Sequence, residues 1–457
     1  MISEKFRRQL REEAGLWKAE GLIDDTVYRQ LGDRYQFDSL EQAASNRFVV
    51  ILMGLGGILL GLGAITFVAA NWQEWPRSLR VILLLSILVG FDAGGFYLWQ
   101  HPTSGAKQRL GIALLLCGAV CLGANIALMA QMFHIGGSPY GLYVVWGLGV
   151  LAMAYSLQLR SLGVLSLLLL AIGYWLGIEY ALEPGEASWI DLLIRHMAIA
   201  GAILFVPLAY WCESRLIFVM ALLLIISSLN VTMGAIIPVY QLPGLGVALA
   251  LILPPAVLWA YDDSQWPGID GRRFRSLARS FALWLLGILF FFLSFKGVWN
   301  IEASDFEDIL PGSAFLLVDV LIFIALALWQ WFRLARPDRT KQYWGVDSVT
   351  AAIAGFLAIT GIVTFWHISI SPIPEIATYI FNILMFLLAT GTIRIGLTEG
   401  SRAAFWGGMV LLILQIISRL FEYNTELLLK AFVLVLCGIG VIIAGLWFER
   451  HLSRQNV

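Results

Sequence analysis

Apolar residues gather into fourteen runs separated by short polar stretches. The runs fall at about 48–70, 79–99, 110–132, 140–158, 161–180, 191–211, 216–237, 242–261, 276–296, 312–332, 345–366, 376–393, 403–421 and 427–448. A bilayer core of about 30 Å needs about 20 helical residues to cross it, so each run is a candidate span. Only Gln158, Leu159 and Arg160 separate the fourth run from the fifth. Pro254-Pro255 interrupts the eighth and is expected to kink it. The pattern predicts an all-α, polytopic integral membrane protein of about 14 transmembrane helices.

Residues 1–47 follow a different pattern. Ser3 can cap a helix with apolar positions at Phe6, Leu10, Ala14 and Trp17, close to a 3.6-residue period, with basic and acidic residues around them. Gly21 breaks it, and Asp24 or Asp25 starts a second helix with Val27, Leu31 and Tyr35 on one side. Leu22 and Ile23 are placed to plug the corner. This small amphipathic hairpin is below the size that usually folds alone, so it is expected to lean on the membrane domain or to dock a protein partner. Its basic side could also touch anionic lipid. The spanning bundle then occupies 48–449, and 450–457 form a tail.

Composition supports the reading. Hydrophobic residues make up 59% of the chain and charged residues 13%, against about 45–50% and about 25% in soluble domains. Mean hydropathy is +0.80. A net charge of −1 gives nucleic acid no electrostatic footprint. Cys117, Cys121, Cys212 and Cys437 lie in or at the ends of apolar runs without further Cys or His at ligand spacing, so they read as ordinary thiols and no metal or cofactor is expected. The first apolar run starts near Phe48, too late and too long for a cleavable leader.

Charge sets the orientation. With the N-terminus inside, the inner loops and tail carry sixteen Lys and Arg, while the outer loops carry three, Arg77, Arg80 and Lys296. Such an asymmetry predicts an even number of spans with both termini in the cytoplasm.

On that topology, polar residues collect at the outer ends of distant runs. The first run ends in Asn71-Trp72, followed by Trp75. The third ends in Gln131 and His134, the sixth opens with Asp191, Arg195 and His196, and the thirteenth ends with Arg419 and Glu422 spaced to pair on one helix face. Tryptophans at span ends are also what an interfacial anchoring belt looks like. The expectation is that Asn71, Gln131 and Arg419 converge on an outward-facing cavity, with Trp72 and Trp75 at its rim. Two acids lie within apolar runs, Asp92 in "VGFDAGG" and Asp319 in "FLLVDVLIF". Acids at such depth are costly and point to function, the alternative being a hydrogen bond to a neighbouring helix.

Several short motifs together resemble one bacterial family of predicted membrane proteins defined by a domain of unknown function. They are "WKAEGLI" (Trp17 to Ile23), "AANW" (Ala69 to Trp72) and "AQMFHIGG" (Ala130 to Gly137), with Trp146 downstream. The domain would cover about residues 5–160. Arg419-Leu420-Phe421-Glu422 is similar to an Arg–aromatic–Phe–acid run in the family's later spans, with Leu in the aromatic position and Glu for Asp. The resemblance implies a multi-pass protein of a bacterial inner membrane and carries no assigned substrate or catalytic residue.

Three functional classes fit. Intramembrane acids and Pro-interrupted helices suit a transporter- or flippase-like protein acting on a small solute or lipid. Glu74, His134, Arg419 and Glu422 could serve a membrane-embedded enzyme acting on a lipid-linked substrate at the outer face. The N-terminal hairpin suits a sensor or assembly factor.

Overall fold

The protein is described here from a computed structural model, covering residues 4–35, 70, 72–102, 104–183, 188–240, 242–263, 274–300, 316–336, 346–422 and 427–455. The chain divides into two compact units, Met1–Ile87 and Leu88–Val457. Among the described residues the regular structure is helical, apart from turns.

In the first unit, α1 (Glu4–Ala19) and α2 (Asp25–Tyr35) form the expected hairpin. Gly21 ends α1 at φ +74°, and the amides of Gly21 and Leu22 reach back to the carbonyls of Lys18 and Trp17. This is the 5→2 and 6→1 pair of a left-handed helix stop, which favours glycine. Asp24 caps α2, accepting from Val27 N at 2.8 Å and Thr26 Oγ1 at 2.6 Å. Ala14 is fully buried beneath Leu10, Trp17, Ile23, Tyr28, Leu31 and Tyr35. Two expected positions differ. Leu22 is 69% exposed and Val27 41% exposed, because the turn aims Ile23 and Tyr28 at Ala14 instead. Lys18 pairs with Asp25 across the corner and holds its carboxyl below the ordinary range. The expected boundary at residue 47 and the first apolar run, 48–69, lie outside the described residues.

The helix α3 (Arg77–Gln100) leads into the second unit. There follow α4 (Gly105–Phe133), α5 (Pro139–Leu157), α6 (Arg160–Leu182), α7 (Trp189–Arg195), α8 (Met197–Trp211), α9 (Arg215–Tyr240) and α10 (Pro243–Ala260). The last group is α11 (Arg275–Leu293), α12 (Leu317–Ala335), α13 (Ser348–Ser369), α14 (Pro374–Glu399), α15 (Arg402–Glu422) and α16 (Leu427–Gln455). Among the described residues eleven helices are long and apolar enough to cross a membrane, and twelve if the bent pair α7–α8 is one span. The last apolar run is helical within α16, though its apolar stretch, Lys430–Ile443, is short. The eighth run stays one assigned helix through Pro254 and Pro255.

Two patterns organise this unit. Fully buried Tyr174, Phe205, Phe218, Phe290 and Phe381 form a continuous core, while large apolar side chains such as Leu328, Ile362 and Ile203 stay 60% exposed or more. A helix apolar all round suits a lipid solvent. Side chains cap the ends of neighbouring helices. At the arginine-rich end, Arg160 Nε donates to Cys212 O at 2.9 Å. Asp263 there accepts from Phe274 N at 3.2 Å, from Arg275 N at 3.1 Å and from Tyr210. The bonds to Cys212 O and from Phe274 N and Arg275 N satisfy backbone groups at helix ends.

The hairpin of α5 and α6 is the most closely packed pair. Gln158 turns the chain at φ +52°, and Leu159 is extended. Ser166 Oγ donates to Gly147 O at 2.8 Å across the interface. A methyl group on Gly147 would lie 2.8 Å from Leu170 Cγ, so glycine here allows the close approach.

Candidate functional site

The sixth apolar run is not one straight helix. It breaks at His196, where α7 and α8 meet at 83°. Neither Gly nor Pro stands at the break; contacts with other helices hold it. Ser188 and Asp191 form a reciprocal capping box that starts α7. Tyr140 OH donates to Asp191 Oδ1 at 2.9 Å. Arg195 donates through Nε to Ala181 O at 2.5 Å and through a terminal nitrogen to Glu183 O at 3.3 Å, capping the end of α6. At the other end of α6, Arg160 meets the carbonyl of Cys212, just past α8. These contacts place α7 at the end of α6 near Ala181, and α8 runs from there along α6 towards Arg160.

The break exposes His196 to a partner on another helix. His196 Nδ1 lies 2.6 Å from Asp319 Oδ1. Asp319 is fully buried, and its Oδ2 has no hydrogen-bond partner among the described residues. The buried Tyr174 lies within electrostatic reach of this carboxylate. Asp319 stands in the first turn of α12 as described, Leu317–Ala335; residues 312–315 lie outside the described residues.

An apolar cavity of about 320 Å³ lies along the same two helices. Val206 of α8 and Phe323 of α12 line it, with Ile225 of α9 and Pro254 of α10. Its lining residues Ile203 and Trp329 are 60% and 47% exposed.

The other residues singled out in the sequence are placed as follows. Asn71 lies outside the described residues. Trp72 stacks with the Arg80 guanidinium 5.4 Å from its ring, and Arg80 also donates to Trp75 O and Gln73 O, each at 2.9 Å. This closed turn satisfies its own polar groups, as an interfacial anchor would. Gln131 and His134 are exposed, and His134 is the left-handed cap of α4 at φ +51°.

Arg419 has several partners, and its buried Nε has none among the described residues. It donates to Ser294 O at 2.7 Å and Ser294 Oγ at 3.2 Å, lies 4.7 Å from the Phe295 ring, and pairs with Glu422. Glu422 accepts from Lys296 N at 2.7 Å, and Asn382 donates to Ser294 O at 3.1 Å. Arg419 thus clamps the end of α11, and Gln131 is not among its hydrogen-bond partners. Asp92 backs onto Gly118 of α4, where a methyl group would collide with its Oδ1, and that oxygen has no partner among the described residues.

Within the first third of the chain, Trp146 ties α5 to α4. Its Nε1 donates to Ala119 O at 2.7 Å, and its ring lies where a side chain on Gly123 would stand. The motifs quoted above and this contact belong to one stretch. Residues 15–163 match the family described as "Predicted membrane protein (DUF2157)". The matched region ends just past the Gln158 turn and includes Trp72, Asp92, Gln131, His134 and Trp146. His196, Asp319 and Arg419 lie beyond it. No curated protein and no solved structure matches the chain.

His196 was visible in the sequence only as one of several polar residues opening the sixth run. Its pairing with Asp319, 123 residues away, left no local signal. Tyr140 and Tyr174 were hidden as aromatic residues in apolar runs.

Proposed function

We propose that this multi-pass membrane protein is transporter- or flippase-like, with the His196–Asp319 pair as an ionisable gate at a broken helix. The observation that carries the reading is this pair, seated at the 83° break and next to an apolar cavity on the same helices. Discontinuous helices with ionisable residues are a recurring device for moving cargo through a bilayer. The pair joins the start of α8 to α12 through one short bond, and breaking it loosens two of the helices that bound the cavity. The cavity suits an apolar or amphiphilic cargo.

The reading is tested in proteoliposomes containing a trace of fluorescent phospholipid and an internal pH dye. Dithionite bleaching beyond the outer leaflet, or a protein-dependent proton flux, is the expected result. His196→Gln and Asp319→Asn should each lower the rate per folded molecule about tenfold, about 1.4 kcal/mol in barrier. Vesicles that behave alike with and without protein in both assays rule the reading out.

We also propose that both termini face the cytoplasm, on the sixteen-to-three loop charge asymmetry. A cysteine at Ser138 should react with an impermeant thiol reagent from outside the cell, and one at Gly268 should not. The opposite labelling inverts the topology.

A further inference from the structure

A second cavity, of about 690 Å³, lies at the arginine-rich end between α11, α14 and α15. Its polar wall comes from the first turns of α11. Arg275 and Ser276 stand at the start, and Arg279 and Ser280 follow one turn deeper. Arg279 is held in place, with its guanidinium 5.1 Å from the Trp259 ring and its Nε donating to Trp259 O at 3.3 Å. Its two terminal nitrogens, and the whole guanidinium of Arg275, have no hydrogen-bond partner among the described residues. The two cations are close enough to repel each other. Asp347 also lines the cavity, but its carboxylate accepts from Thr350 N at 3.2 Å and Thr350 Oγ1 at 2.6 Å as the cap of α13. Asp262 also lies within electrostatic reach of Arg279, and Asp263 accepts from Arg275 N. What the wall offers is therefore guanidinium donors without hydrogen-bond partners among the described residues, beside carboxylates, not an unbalanced positive charge.

The same stripe of α11 turns apolar further on. Leu283 and Trp284 continue the lining, with Leu411 of α15 facing them. Trp284 is 47% exposed, and nine residues of helix place it about 13 Å beyond Arg275. The cavity is therefore amphipathic along its length, with the two arginines at the end of the bundle and an apolar wall towards its middle. A soluble anion would use the first half only. A molecule with an anionic phosphate at one end and acyl chains at the other fits both.

We propose that this groove binds the headgroup of an anionic phospholipid, its phosphate between Arg275 and Arg279 and a chain along Leu283 and Trp284. Paired arginines suit phosphate because their planar donors match its oxygens, and basic pockets between helices hold anionic headgroups in this way. The assignment is independent of the transport reading, since it concerns binding at the opposite end of the bundle from His196.

The test is the melting temperature of the detergent-purified full chain, read with added phosphatidylglycerol, added phosphatidylcholine or inorganic phosphate. Phosphatidylglycerol is expected to raise the melting temperature by several degrees, and phosphatidylcholine and phosphate to leave it unchanged. Arg275→Gln, which removes no hydrogen bond made within the described residues, should at least halve the shift. Arg275→Gln with Arg279→Gln should abolish it, and the exposed Arg109→Gln should keep it in full. An equal shift with inorganic phosphate would assign the arginines to a soluble phosphate and overturn the lipid assignment. No shift with phosphatidylglycerol, or a shift that survives the double substitution, would overturn the site altogether.

Discussion

Asp319→Ala is expected to destabilise the folded protein by about 3–5 kcal/mol, the usual cost of removing one partner from a buried ion pair. Asp319 is fully buried and 2.6 Å from His196 Nδ1, so its loss leaves a half-buried imidazole with no carboxylate at the joint between α7 and α8. Asp319→Asn keeps the shape and one hydrogen bond, and should lose less than half as much. Replacing both residues, His196→Leu with Asp319→Leu, should recover most of the stability, because two apolar groups of similar volume need no partner. Thermal unfolding in detergent, followed by tryptophan fluorescence, gives all three values. If Asp319→Ala melts with the wild type, the pair does not hold the break and the gate has no structural basis.

Arg419→Ala is expected to cost a similar amount, about 3–5 kcal/mol. The side chain closes three groups at once: the carbonyl and hydroxyl of Ser294, and the carboxylate of Glu422. Removing it strands the Glu422 charge and the last carbonyls of α11. Arg419→Lys retains the charge but cannot reproduce the fork of donors, and should recover less than half of the loss. Glu422→Gln is expected to be milder, since an amide oxygen can still accept from Lys296 N. The same melting measurement in detergent ranks the three. A ranking with Arg419→Lys equal to wild type would show that charge alone, not the clamp, matters at this position.

How much of this was legible in the sequence follows from what each signal measures. Hydropathy reports burial from water, and it located the helices well. Eleven of the fourteen runs contain a helix long enough to span, a twelfth is the bent pair, and the last is helical. It cannot report a bend. The break at His196 has no Gly or Pro, and it arises from bonds to Ala181, Asp319 and Tyr140 on other helices. The pairing of Arg419 with Glu422 was legible because it is an i,i+3 relation on one helix. Its larger task, capping Ser294 from 125 residues away, was not. Helix ends alone could not show which polar groups share a pocket. Gln131 and Arg419 both stand at such ends, yet one is exposed and the other is bound into the end of α11. The arginines of α11 had been read only as loop charges that set orientation. Their spacing of one helical turn was available, but the cavity facing them depends on α14 and α15.

The tight turn at Gln158 has a consequence for how the protein is made. Only Gln158 and Leu159 separate α5 from α6, so no soluble linker allows the insertion machinery to release the first helix before the second arrives. The two are expected to leave the translocon as a ready-formed hairpin, with Arg160 at its turn. There it waits for the carbonyl of Cys212, which emerges 52 residues later. Assembly is thereby ordered in time: the hairpin is laid down first, and the bent pair docks onto a platform already in place.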